Sequence, residues 1–365
     1  MKSEDLKIIT LTKTLLKEAL DNNTYWSYNT KNIPFSKSKA KWLLENSRIE
    51  DEDVCAILGY ENQDLVSFIY IIPDLINTPK GAKKMFWSSR WWVAEKYKDT
   101  ILSTYTRNLS LSATKNKTII KYIGQETIPY YKKQPFTEFS KRTKHIIVFS
   151  LDLQLLLNKI KILRRVKPII KLLSILSFYL TALINKIKNY KQVKNLDYEY
   201  LSFIDKHAWS FIEPFLKNDL VLKTPEYINW QIDNNQYTQT KNKNNSSHFC
   251  LINSSGNNMY NLSFLIKKED IIGFISILIT NKEFHVRYFI TDDKNYDNCV
   301  DALMDNFIKS KATILHTEND RLGKHISKKY FKTYSKKREL FSLVHNDIDL
   351  NTENYNVYEQ DGNFA

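Results

Sequence analysis

Residues 259–280, MYNLSFLIKKEDIIGFISILIT, hold two apolar, β-branched runs broken only by the polar stretch around Glu269-Asp270. Runs of this composition on either side of a short polar break predict an antiparallel hairpin. FHVRYFI (284–290) follows at once and extends it into a meander. A sheet this apolar cannot stand alone, so the surrounding chain must supply helices or further strands to cover it.

The first half holds a counterpart. VCAILGY (54–60) and DLVSFIYIIP (64–73) flank Glu61-Asn62-Gln63, and MFWSSRWWV (85–93) is the next strand. Before them come a strand, LKIITL (6–11), and a helix, SKSKAKWLLENS (36–47), with Ser36 placed as N-cap. After them Asp99 opens a helix to about Ala113, TIIKYIG (118–124) is a strand, a helix covers Glu126 to Gln134, and FTEF and HIIVFSL close the set as a pair. The second half repeats this order: YLSFIDKHAW and KTPEYINWQID in an early helical region, a helix over Asp297 to Lys309, the strand ATILHTE (312–318), a helix from Leu322 to Lys329, and the pair YFKTYSK and ELFSLV.

One supersecondary order met twice predicts a duplicated α/β (α+β) chain, each domain a mixed, mostly antiparallel central sheet flanked by helices. A length of 365 residues suits two domains. The expected boundaries are 1–150 for the first domain, 151–196 for a helical linker, 197–347 for the second domain and 348–365 for a tail.

The net charge of +14 invites a nucleic-acid reading, but ten of those charges fall between Lys159 and Lys194, where no acid occurs. They surround LLSILSFYLTALI (172–184), an uncharged run. At about 1.5 Å per residue it covers roughly 20 Å, short of the ~20 residues needed to cross a bilayer. Two readings stay open: a buried interdomain helix with a solvated basic face, or an apolar helix lying on an anionic membrane. Cys55, Cys250 and Cys299 stand far apart without CxxC or CxxH spacing, which predicts neither a zinc site nor a disulfide framework. With no signal peptide read at the start, the expected location is the cytoplasm, with peripheral contact on the inner face of the membrane under the second helix reading.

The element order, with WWVAEKYKDTILSTYTRNL after the meander and YYKKQPF after the next strand, resembles the GNAT N-acyltransferase superfamily in a tandem two-domain form. KTPEYINW and YNVYEQDGNFA resemble bacterial members associated with surface-polysaccharide synthesis. The resemblance implies an acyl-CoA donor, acetyl-CoA first among them, no metal, and a sugar or lipid-linked sugar acceptor. It assigns the pyrophosphate to the turn after Val93, with Lys96, Tyr97, Lys98, Asp99 and Thr100, where a helix N-terminus offers unpaired donors and partial positive charge. No glycine stands in this turn, and Glu95 and Asp99 oppose its lysines; the plain alternative is a solvated basic turn with Asp99 as an ordinary N-cap.

Tyr131, four residues before Pro135-Phe136 where the family has Gly-Phe, is implied as the acid that protonates the leaving thiolate, and Glu126 as the base that activates the acceptor. Tyr131 could equally be a packing residue. In the second half the matching turn carries Asp292 and Asp293, and Ile326 falls where the tyrosine belongs, so the first half is the favoured site. His285, His316 and Glu318, on or beside the second half's central strands, are further proton acceptors, although a lone strand histidine is more often structural. Strict alternation puts Trp87 and Trp91 on one face of their strand and Trp92 on the other, as core or as a sugar-stacking platform.

Three functions are consistent with this sequence: an acyl-CoA-dependent N- or O-acyltransferase acting on a sugar intermediate of cell-surface polysaccharide, a Fem-like aminoacyl-tRNA-dependent transferase acting on peptidoglycan precursors, or a non-catalytic binding or assembly protein.

Overall fold

A computed structural model describes residues 6–27, 31–124, 127–151, 167–239, 249–252, 255–350 and 355–364. The fold is mixed α/β, as the residue patterns require. The chain divides into two compact units that do not follow the expected boundaries. Unit 1 takes in Met1–Lys141, Pro214–Met259 and Leu340–Ala365; unit 2 takes in Arg142–Glu213 and Tyr260–Glu339.

The sheet of unit 1 runs in the order β1 (Leu6–Thr12), β2 (Val54–Glu61), β3 (Asp64–Thr78), β4 (Gly81–Val93), β5 (Thr118–Ile120) and the end of β12 (Tyr334–His345). The first four strands form an antiparallel meander; β4 pairs in parallel with β5, and β5 pairs antiparallel with β12 through Ile120↔Leu343 and Ile119↔Val344. Unit 2 has the same order built from β7 (Asp197–Leu201), β8 (Met259–Lys267), β9 (Ile271–Thr280), β10 (Glu283–Thr291), β11 (Ile314–Thr317) and the end of β6 (Phe136–Val148). There β10 and β11 are the parallel pair, and β11 pairs antiparallel with β6.

The pairing of these last strands corrects two expectations. FTEF and HIIVFSL are one strand, Phe136–Val148, and YFKTYSK and ELFSLV are one strand, Tyr334–His345. Each is long because its closing residues are the sixth strand of the unit that does not hold its opening residues. The strand expected over 118–124 is shorter, Thr118–Ile120, and the helix expected from Glu126 to Gln134 is the single turn α4, Ile128–Tyr131.

The helix α7 (Pro225–Ile232) belongs to unit 1. Its Trp230 stacks on Trp42 of α2 (Lys37–Leu44) at 4.0 Å between centroids. Trp42 Nε1 donates to the Trp230 carbonyl (2.6 Å) and Trp230 Nε1 to the Trp42 carbonyl (2.7 Å), so neither indole N–H is buried unpaired. Ser36 caps α2 as expected, accepting from Lys39 N at 3.1 Å.

The C-terminal residues are core rather than an appendage. Phe364 packs on both tryptophans, and Asp361 meets the fully buried Lys223 at 3.1 Å. Gly362 adopts φ +63°, with Trp87 so close that a Cβ would stand 2.4 Å from its ring.

Candidate functional site

In unit 1, β4 and β5 touch at only two pairs, Phe86↔Thr118 and Trp87↔Ile119. Beyond Trp87, β4 runs on to Val93 without a β5 partner among the described residues, and the two strands part. Tyr70 faces Ser89 and Phe68 faces Trp92, leaving Arg90 and Trp91 opposite the single Ile69. This is a β-bulge, and Arg90 carries the left-handed backbone it needs, φ +51°.

The bulge corrects the expected alternation. One inserted residue flips every side chain after it, so Trp87 and Trp92 pack on the face of Phe68, Tyr70 and Ile72, while Trp91 packs with Ile69, Ile71 and Phe86 on the other. Trp91 therefore faces α3 (Ile101–Ala113) and α4 across the gap that β4 and β5 leave.

A charge that the apolar pattern alone does not mark enters this gap. Arg107, on α3, is fully buried. Its Nη1 donates to Ser88 Oγ (2.6 Å) and to Ser110 Oγ at 3.4 Å, and its guanidinium lies 6.0 Å from the Trp91 ring, 5.4 Å from that of Tyr131 and 5.7 Å from that of Phe136. Its Nε and Nη2 have no hydrogen-bond partner, and neither has the buried Trp91 Nε1. Its helical spacing was the available signal: it stands three residues before Ser110 and four before Leu111, both buried, in phase with the inward face.

Tyr131 joins this cluster. Its ring is buried, edge-on to Phe136 at 5.5 Å and to Trp91 at 6.1 Å. Burial pushes its phenol above the ordinary value while Arg107 pulls it back down. The Arg107 guanidinium thus stands among the Trp91, Tyr131 and Phe136 rings, and Arg107 Nε, Arg107 Nη2 and Trp91 Nε1 are donors left for a ligand that accepts. Glu126, the expected base, lies outside the described residues.

The expected phosphate turn is well formed but already satisfied. Lys96 donates to Glu61, as does the Tyr97 hydroxyl, and the two bonds hold the Glu61 carboxyl below its ordinary value. Lys98 meets Glu95 at 2.5 Å. Asp99 is not the N-cap; Thr100 is, its Oγ1 accepting from Leu102 N at 3.3 Å, because α3 starts at Ile101, one residue later than the pattern suggested. Val93 closes the strand and packs with Tyr97 and Leu102.

The same place in unit 2 is built from different chemistry. The last parallel pair there is His285↔His316, the rings stacked at 4.3 Å and nearly parallel. Glu283 Oε2 lies 3.0 Å from His285 Nε2 and 3.5 Å from His316 Nε2, and the His285 hydrogen bond is the main reason its carboxyl sits below the ordinary range. These three are the described residues whose donor atoms cluster as a metal site would need. Parallel rings, however, aim their in-plane lone pairs side by side rather than at one ion. Glu318 is engaged by Arg142 at 3.0 Å.

The following turn is acidic, with Asp293 held by Arg321, and Ile326 is fully buried in the core. Tyr330, the next tyrosine along the chain from Ile326, is occupied by Asn189 (2.8 Å) and Asp301 (2.5 Å).

Two solved structures of GCN5-related N-acetyltransferases are similar to this chain. The one from Kribbella flavida is 11% identical with a TM-score of 0.48, covering 94% of this chain and 72% of its own. That from Anabaena variabilis is 10% identical with a TM-score of 0.45, covering 93% and 72%. No family model and no curated protein matches the sequence.

Proposed function

We propose that unit 1 is an acyltransferase of GNAT type that moves an acyl group from acyl-CoA, acetyl-CoA first among candidates, to a nucleophile on a sugar intermediate of cell-surface polysaccharide. The observation that supports it is the buried Arg107 guanidinium beside Trp91 and Tyr131 in the gap between β4 and β5, with Arg107 Nε and Nη2 and Trp91 Nε1 unpartnered. A thioester carbonyl, the oxyanion that forms on it and the departing thiolate are all acceptors, and each gains from donors held in a dry site. Leaving a buried guanidinium without a carboxylate is unfavourable, which argues that the group is retained for something it meets in use.

In this reading Arg107 and the Trp91 indole face the developing oxyanion, and Tyr131 gives its proton to sulfur as the C–S bond breaks. The backbone of the turn from Val93 to Thr100, with Lys96 and Lys98 exchanging their carboxylates for phosphate, holds the pyrophosphate. The sugar acceptor rests on the resemblance of KTPEYINW and YNVYEQDGNFA to polysaccharide-synthesis enzymes.

The test is binding and transfer with the full chain. Isothermal titration with acetyl-CoA, with desulfo-CoA and with aminoacyl-tRNA identifies the donor, and single-turnover transfer to a panel of amino sugars identifies the acceptor. Arg107→Met is expected to lower transfer by a factor on the order of 10²–10³, as losing one oxyanion donor does elsewhere. Acyl-CoA binding that is absent while aminoacyl-tRNA binds would move the assignment to a Fem-like transferase; neither binding would leave a non-catalytic protein.

A further inference from the structure

The helix α5 (Lys167–Val193), in unit 2, has its polarity reversed. The side turned to the protein is polar. Ser174 Oγ donates to the Leu151 carbonyl (2.7 Å), and Leu151 N donates to Ser177 Oγ (2.9 Å). Asn185 exchanges two hydrogen bonds with the Phe331 backbone, at 2.8 and 2.9 Å. Asn189 donates to the Asp301 carbonyl (2.8 Å) and accepts from the Tyr330 hydroxyl at 2.8 Å. Thr181, between these anchors, is buried as well.

The outward side is apolar. Leu172, Leu176, Tyr179, Leu183, Ile187 and Tyr190 recur at three- and four-residue steps and are 54% to 67% exposed. A helix on a water-facing surface shows the opposite pattern, so the medium outside this helix is not water alone.

Length and composition would allow α5 to cross a bilayer. Its anchors exclude that orientation: hydrogen bonds from Ser174 to Asn189 tie about 22 Å of one side to the folded unit. A helix fastened sideways in this way lies along a surface. Charge then chooses the surface. Lys167, Lys171, Lys186, Lys188, Lys191 and Lys194 are all exposed, and no acid occurs between the first and the last. Lys191 and Lys194 continue the apolar stripe beyond Tyr190, where their stems can reach from acyl chains to headgroups. A second copy seated on the same stripe would bring two such sets of lysines together.

We propose that the outward stripe of α5 lies in the headgroup boundary of an anionic bilayer and holds the protein on the membrane. Tyr179 and Tyr190, apolar with a polar tip, suit that depth. This inference stands apart from the acyltransfer reading, since no residue of unit 1 enters it.

The experiment is co-sedimentation of the full chain with vesicles of phosphatidylcholine alone and of phosphatidylcholine mixed equally with phosphatidylglycerol. Binding to the anionic vesicles, weakened by salt, is expected. Leu176→Glu with Leu183→Glu should abolish it while leaving the melting temperature in place, because both side chains are exposed. Lys186→Gln, Lys191→Gln and Lys194→Gln together should weaken it on the order of a hundredfold, from three charges near the surface. Unchanged binding of the double glutamate variant would overturn the proposal. A concentration-dependent dimer that this variant splits, with no vesicle binding by either protein, would overturn it too and make a second copy the occupant.

Discussion

Units 1 and 2 share a strand order and differ in what they place where the parallel strands meet and part. Unit 1 has a bulge at Arg90, a tryptophan redirected by it and a buried guanidinium with donors to spare. Unit 2 also bulges at an arginine, since Val286 faces Ile277 and Tyr288 faces Ser276 with Arg287 between them. There the gap opens beside two stacked imidazoles and a glutamate, the turn is acidic, and the Tyr330 phenol is tied to Asn189 and Asp301. A shared frame therefore says little about chemistry; the side chains at the parting strands decide it.

The largest expected effect tests how unit 1 holds its frame. Asp74 is fully buried, bonded to Arg48, to Trp87 Nε1 (2.9 Å) and to the Tyr227 hydroxyl at 2.7 Å. Asp74→Asn strands the Arg48 charge, and chemical denaturation should show a loss of about 3–5 kcal/mol. The exposed pair of Asp293 and Arg321 in unit 2 makes the contrast: Asp293→Asn should leave the denaturation midpoint unmoved.

Next in size is the comparison of the two arginines. Arg107→Met should lower transfer on the order of 10²–10³-fold without loss of stability, because a buried charge with no carboxylate beside it goes with it, whereas Arg287→Met should leave single-turnover transfer at the wild-type rate. Equal losses from both would place the chemistry elsewhere.

A smaller effect separates the units by pH. The folded Glu283 carboxyl titrates below its unfolded value, chiefly through the His285 hydrogen bond. Its contribution is therefore present above the unfolded pKa of about 4.3 and is lost as pH falls through the folded one. Below pH ~4 the wild-type melting temperature should fall more steeply than that of Glu283→Gln. Parallel curves would show that the cluster carries no such linkage.

The smallest change belongs to the turn. Lys96→Glu with Lys98→Glu should weaken acetyl-CoA binding only roughly threefold, as each lysine is already shared with a carboxylate on an exposed surface. Unchanged affinity would remove the turn from the site.

What could be read from the sequence was the period of its apolar residues. The hairpin at 259–280, the meander at 54–93 and the cap at Ser36 follow from local pattern and stand in the structure. Strand alternation failed at Trp91 because a bulge at Arg90 leaves no mark in composition. The ends of β6 and β12 were split in two because their partners are distant in the chain, and no local signal reports that. Arg107 is one cation among 54, and only its phase on α3 marks it as inward.

The seating of Phe364, Gly362 and Asp361 in the core of unit 1 bears on how the protein is made. Within the chain, the residues of this unit up to Lys141 are made well before β12 and the residues after it, which complete its sheet and core. From residue 141 to residue 364 is roughly 10–45 s of synthesis at ~5–20 residues per second. Throughout that interval the apolar face of β2 and β3 lacks the cover that Val344 and Phe364 give it in the finished core.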